Sequence, residues 1–219
     1  MSSNRLLDPI PKLLPLAYSS SRASRRFQSV ILIRSMSPSS HRALFLDRDG
    51  VINLERGYVH RREKFQFQKG IFELCQAAQT LGYLLIVTTN QAGIARGYYT
   101  ELDFLELTEW MIDKFAEQQV QIARVYYCPY HPVHGKGQYK YDSPDRKPKP
   151  GMLLRAQRDF DLNLLSSVLI GDKASDMQAA TAAGIGRKIL LRPEITEMEL
   201  QEDNCYVSTS LHDIRNKFF

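Results

Sequence analysis

The chain has 219 residues, of which 43% are hydrophobic, enough for one domain of ordinary size with a substantial core. Its formal charge of +5 is uneven: residues 1–42 hold seven basic side chains and one acid, whereas 43–219 hold 22 basic and 23 acidic ones, a net of −1. That distribution argues against a nucleic-acid binder, whose basic groove would lie on the folded part, and no apolar stretch is long enough for a membrane span.

Residues 1–42 are rich in Ser, Arg and Pro. Organelle transit peptides share that composition. The reading preferred here is a disordered extension, as from an upstream start codon, because Met36 stands just before the first convincing strand. The three cysteines, Cys75, Cys128 and Cys205, are too widely spaced for a disulfide framework and fit a reducing, cytoplasmic location.

From Ala43 onward, strand-like and helix-like segments alternate, which predicts βα units and a doubly wound, mainly parallel sheet of Rossmann-like α/β type. Ala43 to Leu46 is an apolar run suited to a strand buried on both faces, and it ends in Asp47-Arg48-Asp49-Gly50. A polar, aromatic stretch without periodicity follows, Glu55 to Phe67. Gly70 to Leu81 reads as a helix, and Tyr83 to Thr88 as a second buried strand ending in Thr89-Asn90-Gln91-Ala92-Gly93. Thr100, followed by acids, is an N-cap for a longer helix. The stripe Phe104, Leu107, Met111 and Phe115, with Trp110, is read as packing against the sheet. Ala123 to Tyr127 is a third strand, leading into a loop from Cys128 to Pro150 whose length marks a functional or metal-ordered segment. Gly151 to Phe160 is a helix, Ser167 to Ile170 a strand ending in Gly171-Asp172-Lys173, and Ser175 to Ala183 a helix stopped by Gly184. Lys188 to Leu191 is a fifth strand, and Cys205 to Phe219 adds a short strand and a closing helix.

In parallel α/β sheets ligands bind at the carboxyl ends of the strands. Four such ends carry polar clusters: Asp47/Asp49, Thr89/Asn90, Arg146/Lys147, and Asp172/Lys173 with Asp176. Two carboxylates as close as Asp47 and Asp49 ask for a cation, a proton, or both. Carboxylates are the ligand set for Mg²⁺, and Lys, Arg, Thr and Asn neutralise and hydrogen-bond a phosphoryl group. An Asp also serves as a nucleophile through an aspartyl-phosphate. The chemistry predicted is phosphoryl transfer to an aspartate, then hydrolysis. Singly, each block has a plainer reading as a turn, a calcium loop or a solvated charge pair. Their order in one chain carries the signal.

That order, Asp-x-Asp-Gly, a strand-end Thr, a Lys, then Gly-Asp-x-x-x-Asp, resembles the haloacid dehalogenase superfamily of phosphatases. Five blocks, Asp47 to Asn53, Gly57-Tyr58-Val59, Thr89 to Gly97, Arg146-Lys147-Pro148 with Pro150-Gly151-Met152, and Gly171-Asp172-Lys173, resemble its D-glycero-D-manno-heptose 1,7-bisphosphate phosphatase family, with the histidinol-phosphatase domain a near cousin. The likeness runs from about Ala43 to Arg192, and 43–219 is taken as the phosphatase domain.

The resemblance implies Asp47 as nucleophile and Mg²⁺ ligand, and Asp49 as general acid and then base, with its backbone carbonyl on the metal. Thr89 and Lys147 would stabilise the transferring group, and Asp172 would complete the metal site. Glu55, Arg56, Gly57, Tyr58, Asn90, Gln91, Ala92, Arg146 and Lys173 would contact substrate. Asp176 reads equally well as a first-turn helix acid.

Members of the family carry a structural zinc in the long loop, bound by a Cys-x-His and a Cys-x-Cys pair. Here those pairs read Cys128-Pro129-Tyr130 and Ser143-Pro144-Asp145, so only Cys128 of the four positions is kept, and no zinc is expected. His131, His134 and Asp145 are the remaining candidate ligands nearby. The interval from Asp49 to Thr89 has no room for a large cap domain. The expected activity is Mg²⁺-dependent removal of the 7-phosphate of a manno-heptose 1,7-bisphosphate. The alternatives are a histidinol-phosphate or other small phosphomonoester phosphatase and, less favoured, a nucleic-acid 3′-phosphatase. The expected partner is a small phosphorylated sugar, with no nucleic acid and no membrane, and the expected state is a monomer.

Overall fold

A computed structural model of the chain describes residues 41–192 and 205–219. The expectation for the N-terminal extension therefore falls almost entirely outside the described residues. Six strands, β1 (Arg42–Leu46), β2 (Tyr83–Asn90), β3 (Ile122–Cys128), β4 (Val168–Gly171), β5 (Arg187–Leu191) and β6 (Tyr206–Ser208), form one sheet in the order β3-β2-β1-β4-β5-β6. Every neighbouring pair is parallel, so the sheet is wholly rather than mainly parallel.

Among the described residues, six α-helices accompany the sheet: α1 (Ile71–Thr80), α2 (Ala92–Arg96), α3 (Glu101–Glu117), α4 (Gly151–Phe160), α5 (Ala174–Ala183) and α6 (Leu211–Phe218). The strand period of two divides β1 between two cores. Leu44 and Leu46 pack with Leu74 of α1, Met111 and Phe115 of α3 and Ile214 of α6. Ala43 and Phe45 pack with Met152, Leu153 and Ala156 of α4 and with Ala179 and Ala180 of α5. All four β1 residues are fully buried, as the unbroken apolar run requires. Cutting Leu44 or Phe45 to alanine would cost about 2–5 kcal/mol.

The helix signals read from the sequence have local causes. Thr100 caps α3: its hydroxyl accepts from Asp103 N–H at 3.1 Å, and the Asp103 carboxylate accepts from Thr100 N–H at 2.7 Å. The Thr100 N–H and the Thr100 hydroxyl, each donating to the Asp103 carboxylate at 2.7 Å, hold that carboxyl below its usual range. Two readings change. The five-residue α2 lies within what the sequence presents as a motif loop, being too short for any periodicity to register. In the α3 stripe, Leu107, Met111 and Phe115 face the sheet core and Phe104 packs on Tyr127 of β3 at 4.5 Å with Ile94 and Tyr99 beside it, but Trp110 turns elsewhere. Trp110 meets aromatic rings of the stretch after β1, Phe65 at 5.5 Å and Phe67 at 5.9 Å. That stretch is hydrogen-bonded at its base through Leu54 N–H to Gln66 and Gln68 N–H to Ile52, so it lays Phe65 and Phe67 against α3.

Register decides where the polar clusters meet. Leu46 pairs with Val87 on one side and Ile170 on the other, bringing the ends of β1, β2 and β4 level. Asp47 N–H donates to the Ile170 carbonyl at 3.0 Å and continues that ladder by one residue. This is where the strand order turns, β2 lying to one side of β1 and β4 to the other, which is where such sheets open a crevice.

Candidate active site

Asp47 leaves the end of β1 with its carboxylate accepting from Arg48 N–H at 2.8 Å. Gly50, three residues on, has φ of +93°, and a Cβ there would run into the Asp172 carboxylate. Only glycine lets the turn after Asp47 pass this close to the β4 end. Lys147 completes the group. Its ammonium lies 3.0 Å from an Asp47 oxygen and 2.6 Å from an Asp176 oxygen, and it donates to the Thr88 carbonyl at 2.8 Å.

These groups are nearly dry: Asp47 is 6% exposed, Lys147 4% and Asp176 1%. Burial raises the Asp47 carboxyl to about 7, against Lys147, with Asp176, Asp172 and Asp49 adding to the rise. Burial alone would lower the Lys147 ammonium, but Asp47 and Asp176 raise it on balance. The Asp172 carboxyl is likewise raised by burial, with Lys173 opposing. A site with so much carboxylate and so little water lacks positive charge.

The residues fit a divalent cation. Asp47, Asp172 and Asp176 each bring one oxygen within 4.8 Å of the others, and Asp172 Oδ1 is buried without a hydrogen-bond partner. Donors that are all carboxylate oxygens suit a hard ion such as Mg²⁺. The Asp49 carboxylate lies outside that set. It accepts from Arg48 at 2.7 Å on both oxygens, from Asn53 at 3.1 Å and from Gln91 at 3.2 Å. Asp176 stands in that set and is also a first-turn helix acid, its second oxygen accepting from Lys173 N–H at 3.0 Å to cap α5.

Above the carboxylates opens a cleft of about 660 Å³, lined by Asp47, Asp49, Thr89, Lys147, Lys173 and Asp176. Glu55, Gly57, Tyr58, Asn90, Gln91, Ala92 and Arg146 also line it. Eight curated relatives of the chain carry one activity in their names. The D-glycero-alpha-D-manno-heptose-1,7-bisphosphate 7-phosphatase of Burkholderia mallei is 60% identical over 151 residues, covering 69% of this chain and 80% of that one. The D-glycero-beta-D-manno-heptose-1,7-bisphosphate 7-phosphatase of Vibrio cholerae is 54% identical, covering 68% and 81%. The chain belongs to the heptose-bisphosphate phosphatase family.

Membership makes it a phosphoric monoester hydrolase. A HAD-hydrolase-like family model matches residues 145–214, which include Lys147, Asp172 and Asp176. Among solved structures, a HAD-like phosphatase of Mesorhizobium loti superposes with a TM-score of 0.71 at 32% identity, over 80% of this chain and 85% of that one. The D,D-heptose 1.7-bisphosphate phosphatase of B. bronchiseptica, complexed with magnesium and phosphate, superposes with 0.70 at 23% identity, over 80% and 97%, and so attests the fold.

Against this family background the individual side chains sort further. Asn90 spends both ends of its amide on the Lys147 backbone, accepting from its N–H and donating to its carbonyl at 3.0 Å each. Gln91 is buried and bonded to Thr89, Asp49 and Tyr99. For both, the side chain is hydrogen-bonded to neighbouring residues of the cleft that Asn90 and Gln91 help to line. Arg56 is exposed, bonded to Gln66, and stands outside the cleft lining, because its neighbour Glu55 turns back to Gly57 N–H and Lys173. Tyr99, Pro148 and Ser175 line the cleft unforeseen. Tyr99 lies two residues beyond the Thr89 to Gly97 block, and no spacing rule singles it out.

The loop after β3 is held by its own side chains. Tyr127 and Tyr139 each donate a hydroxyl proton to Glu101 at 2.7 Å, and Tyr130 packs its ring against Tyr139 and Tyr141. Asp145 pairs with Arg155 of α4, and Arg146 donates to the Tyr130 carbonyl at 3.2 Å. The Cys128 thiol is buried and raised by that burial, while His131 accepts from Val133 and His134 N–H. Among the described residues, Asp47, Asp172 and Asp176 are the group placed to share a metal, and none of the loop's candidate ligands belongs to it.

Proposed function

We propose that the protein is a Mg²⁺-dependent phosphatase that removes the 7-phosphate of D-glycero-D-manno-heptose 1,7-bisphosphate through an aspartyl-phosphate on Asp47. One observation carries this reading: a buried lysine joins two aspartates at the end of β1, while a third aspartate beside them has an unpartnered oxygen. The names of the relatives support the substrate.

Asp47 Oδ attacks phosphorus in line with the ester oxygen, forming the acyl-phosphate as the ester P–O bond breaks. Asp49 gives a proton to the departing sugar alkoxide. Water then attacks the same phosphorus and loses a proton to Asp49, returning inorganic phosphate and the Asp47 carboxylate. Lys147 and the Thr89 hydroxyl meet the equatorial oxygens, where charge builds in a phosphoryl transition state. Mg²⁺, when bound, neutralises the charge gathered between the carboxylates and the phosphoryl group. Lys173 and Arg146 at the rim are the cations left to receive the substrate's second phosphate. The half-open cleft needs no cap domain.

The test is release of inorganic phosphate from both anomers of the heptose bisphosphate, from histidinol phosphate and from 3′-phosphorylated DNA, with Mg²⁺ and with EDTA. Release from a heptose bisphosphate at least about tenfold faster than from the others, lost in EDTA, is expected. No release from any substrate with Mg²⁺ would sink the proposal.

A further inference from the structure

Tyr99 and Gln91 stand beside Thr89 and Asp49 in the cleft, and their hydrogen bonds have a direction that can be worked out. Both Asp49 oxygens accept from Arg48 in the resting site, and the group that Gln91 turns toward that carboxylate at 3.2 Å is the amide nitrogen. The same nitrogen gives its other proton to the Thr89 hydroxyl oxygen at 2.8 Å. The amide oxygen then faces Tyr99, whose hydroxyl donates to it at 2.5 Å.

One result follows for Thr89. Its oxygen accepts from Gln91, and its own proton has no other partner among the described residues, so that proton is free for an oxygen in the cleft that Thr89 lines. If the amide were turned over, its oxygen would take up the Thr89 proton and stand against the Asp49 carboxylate. We propose that Tyr99, acting through Gln91, is a positioning residue that sets the hydrogen-bond polarity of the site. It makes the Thr89 hydroxyl a donor to the phosphoryl group and steadies Asp49 with the same amide.

The surroundings are built for this. Tyr99 is 7% exposed, its ring stacks on His60 at 4.9 Å with planes 7° apart, and a Cβ on Gly93 would strike that ring. Gln91 N–H is tied to the Cys128 carbonyl at 2.8 Å, which fixes the backbone below the amide. Donor, amide and the Thr89 recipient are thus held almost wholly buried.

This inference rests on the phosphatase reading, and the experiment separates the two. Phosphate release is measured for the wild type, Tyr99→Phe, Gln91→Leu and the double variant, with Mg²⁺ and with melting temperatures taken alongside. Tyr99→Phe should lower kcat about tenfold and leave KM within about twofold, because a transition-state contact is weakened. Gln91→Leu should cost about a hundredfold, and the double variant should be no slower than Gln91→Leu alone, since the tyrosine acts through the amide. An inactive wild type would overturn the phosphatase reading and this one with it. An active wild type with full kcat in Tyr99→Phe, or losses that multiply in the double variant, would overturn this one alone. Should Gln91→Leu fail to fold, the kcat and KM of Tyr99→Phe still decide.

Discussion

The floor and the rim of the cleft are made in different ways. The floor, Asp47, Lys147, Asp172 and Asp176, stands on strand ends or is tied to them, and Asp47, Lys147 and Asp176 are almost dry and join their charges at hydrogen-bonding distance. The rim, the stretch after β1 and the loop after β3, is largely exposed and held by tyrosine hydroxyls, edge-on ring contacts and single ion pairs such as Lys173–Glu55. Buried ion pairs gain little for stability when intact and cost several kcal/mol when one partner is removed, whereas exposed pairs matter little either way. Damage to the floor should therefore be large and appear in kcat or in folding. Damage to the rim should be small and appear in KM.

The sharpest way to break this contrast is Asp47→Asn. It removes the nucleophile while Lys147 keeps Asp176, so phosphate release should fall about ten-thousandfold or more with the melting temperature within a few degrees of wild type. Retained turnover would mean that another group takes the phosphoryl. Lys147→Ala comes next. It leaves two buried carboxylates facing each other without their cation, and denaturant unfolding should show a loss of about 3–5 kcal/mol.

At the rim, Glu101→Gln leaves one acceptor for two tyrosine hydroxyls. KM should rise about threefold with kcat held, and an equal fall in kcat would show that the loop reaches the floor. Metal analysis of protein purified without added zinc should find less than one zinc per chain, because Asp145 is paired with Arg155 and the loop's candidate ligands do not gather into a ligand group among the described residues. Smallest of all, Arg56→Ala should change kcat/KM less than about twofold in the same assay, its guanidinium being turned to Gln66.

The same division explains what the sequence disclosed. The floor was legible because its causes are local and periodic: buried strands announce themselves as apolar runs, and the polar residues that end them fall where a parallel sheet collects its ligands. Thr100 and Gly184 marked helix ends because each solves a backbone problem at one position. The rim was not legible, because its contacts join residues far apart. Tyr139 meets Glu101 across 38 positions, and Asp145 finds Arg155 on a different element. Asn90 and Gln91 stood in the right motif, yet whether an amide faces a substrate or a neighbouring backbone depends on what folds beside it. Tyr99 carried no signal, since an aromatic two residues past a motif is the commonest sort of core residue.

The pair of hydrogen bonds between Asn90 and Lys147 has a further bearing on how this loop varies. The amide presents one acceptor and one donor to a peptide unit, as an adjoining strand does, so the edge of β2 in effect reads out the position of the lysine. The seventeen or so residues that separate β3 from Arg146 are then a closed excursion whose two ends are pinned independently. Such a segment is free to lengthen, shorten or exchange one internal brace for another while the lysine stays in place. New specificities can be tried on the excursion with the chemistry kept intact.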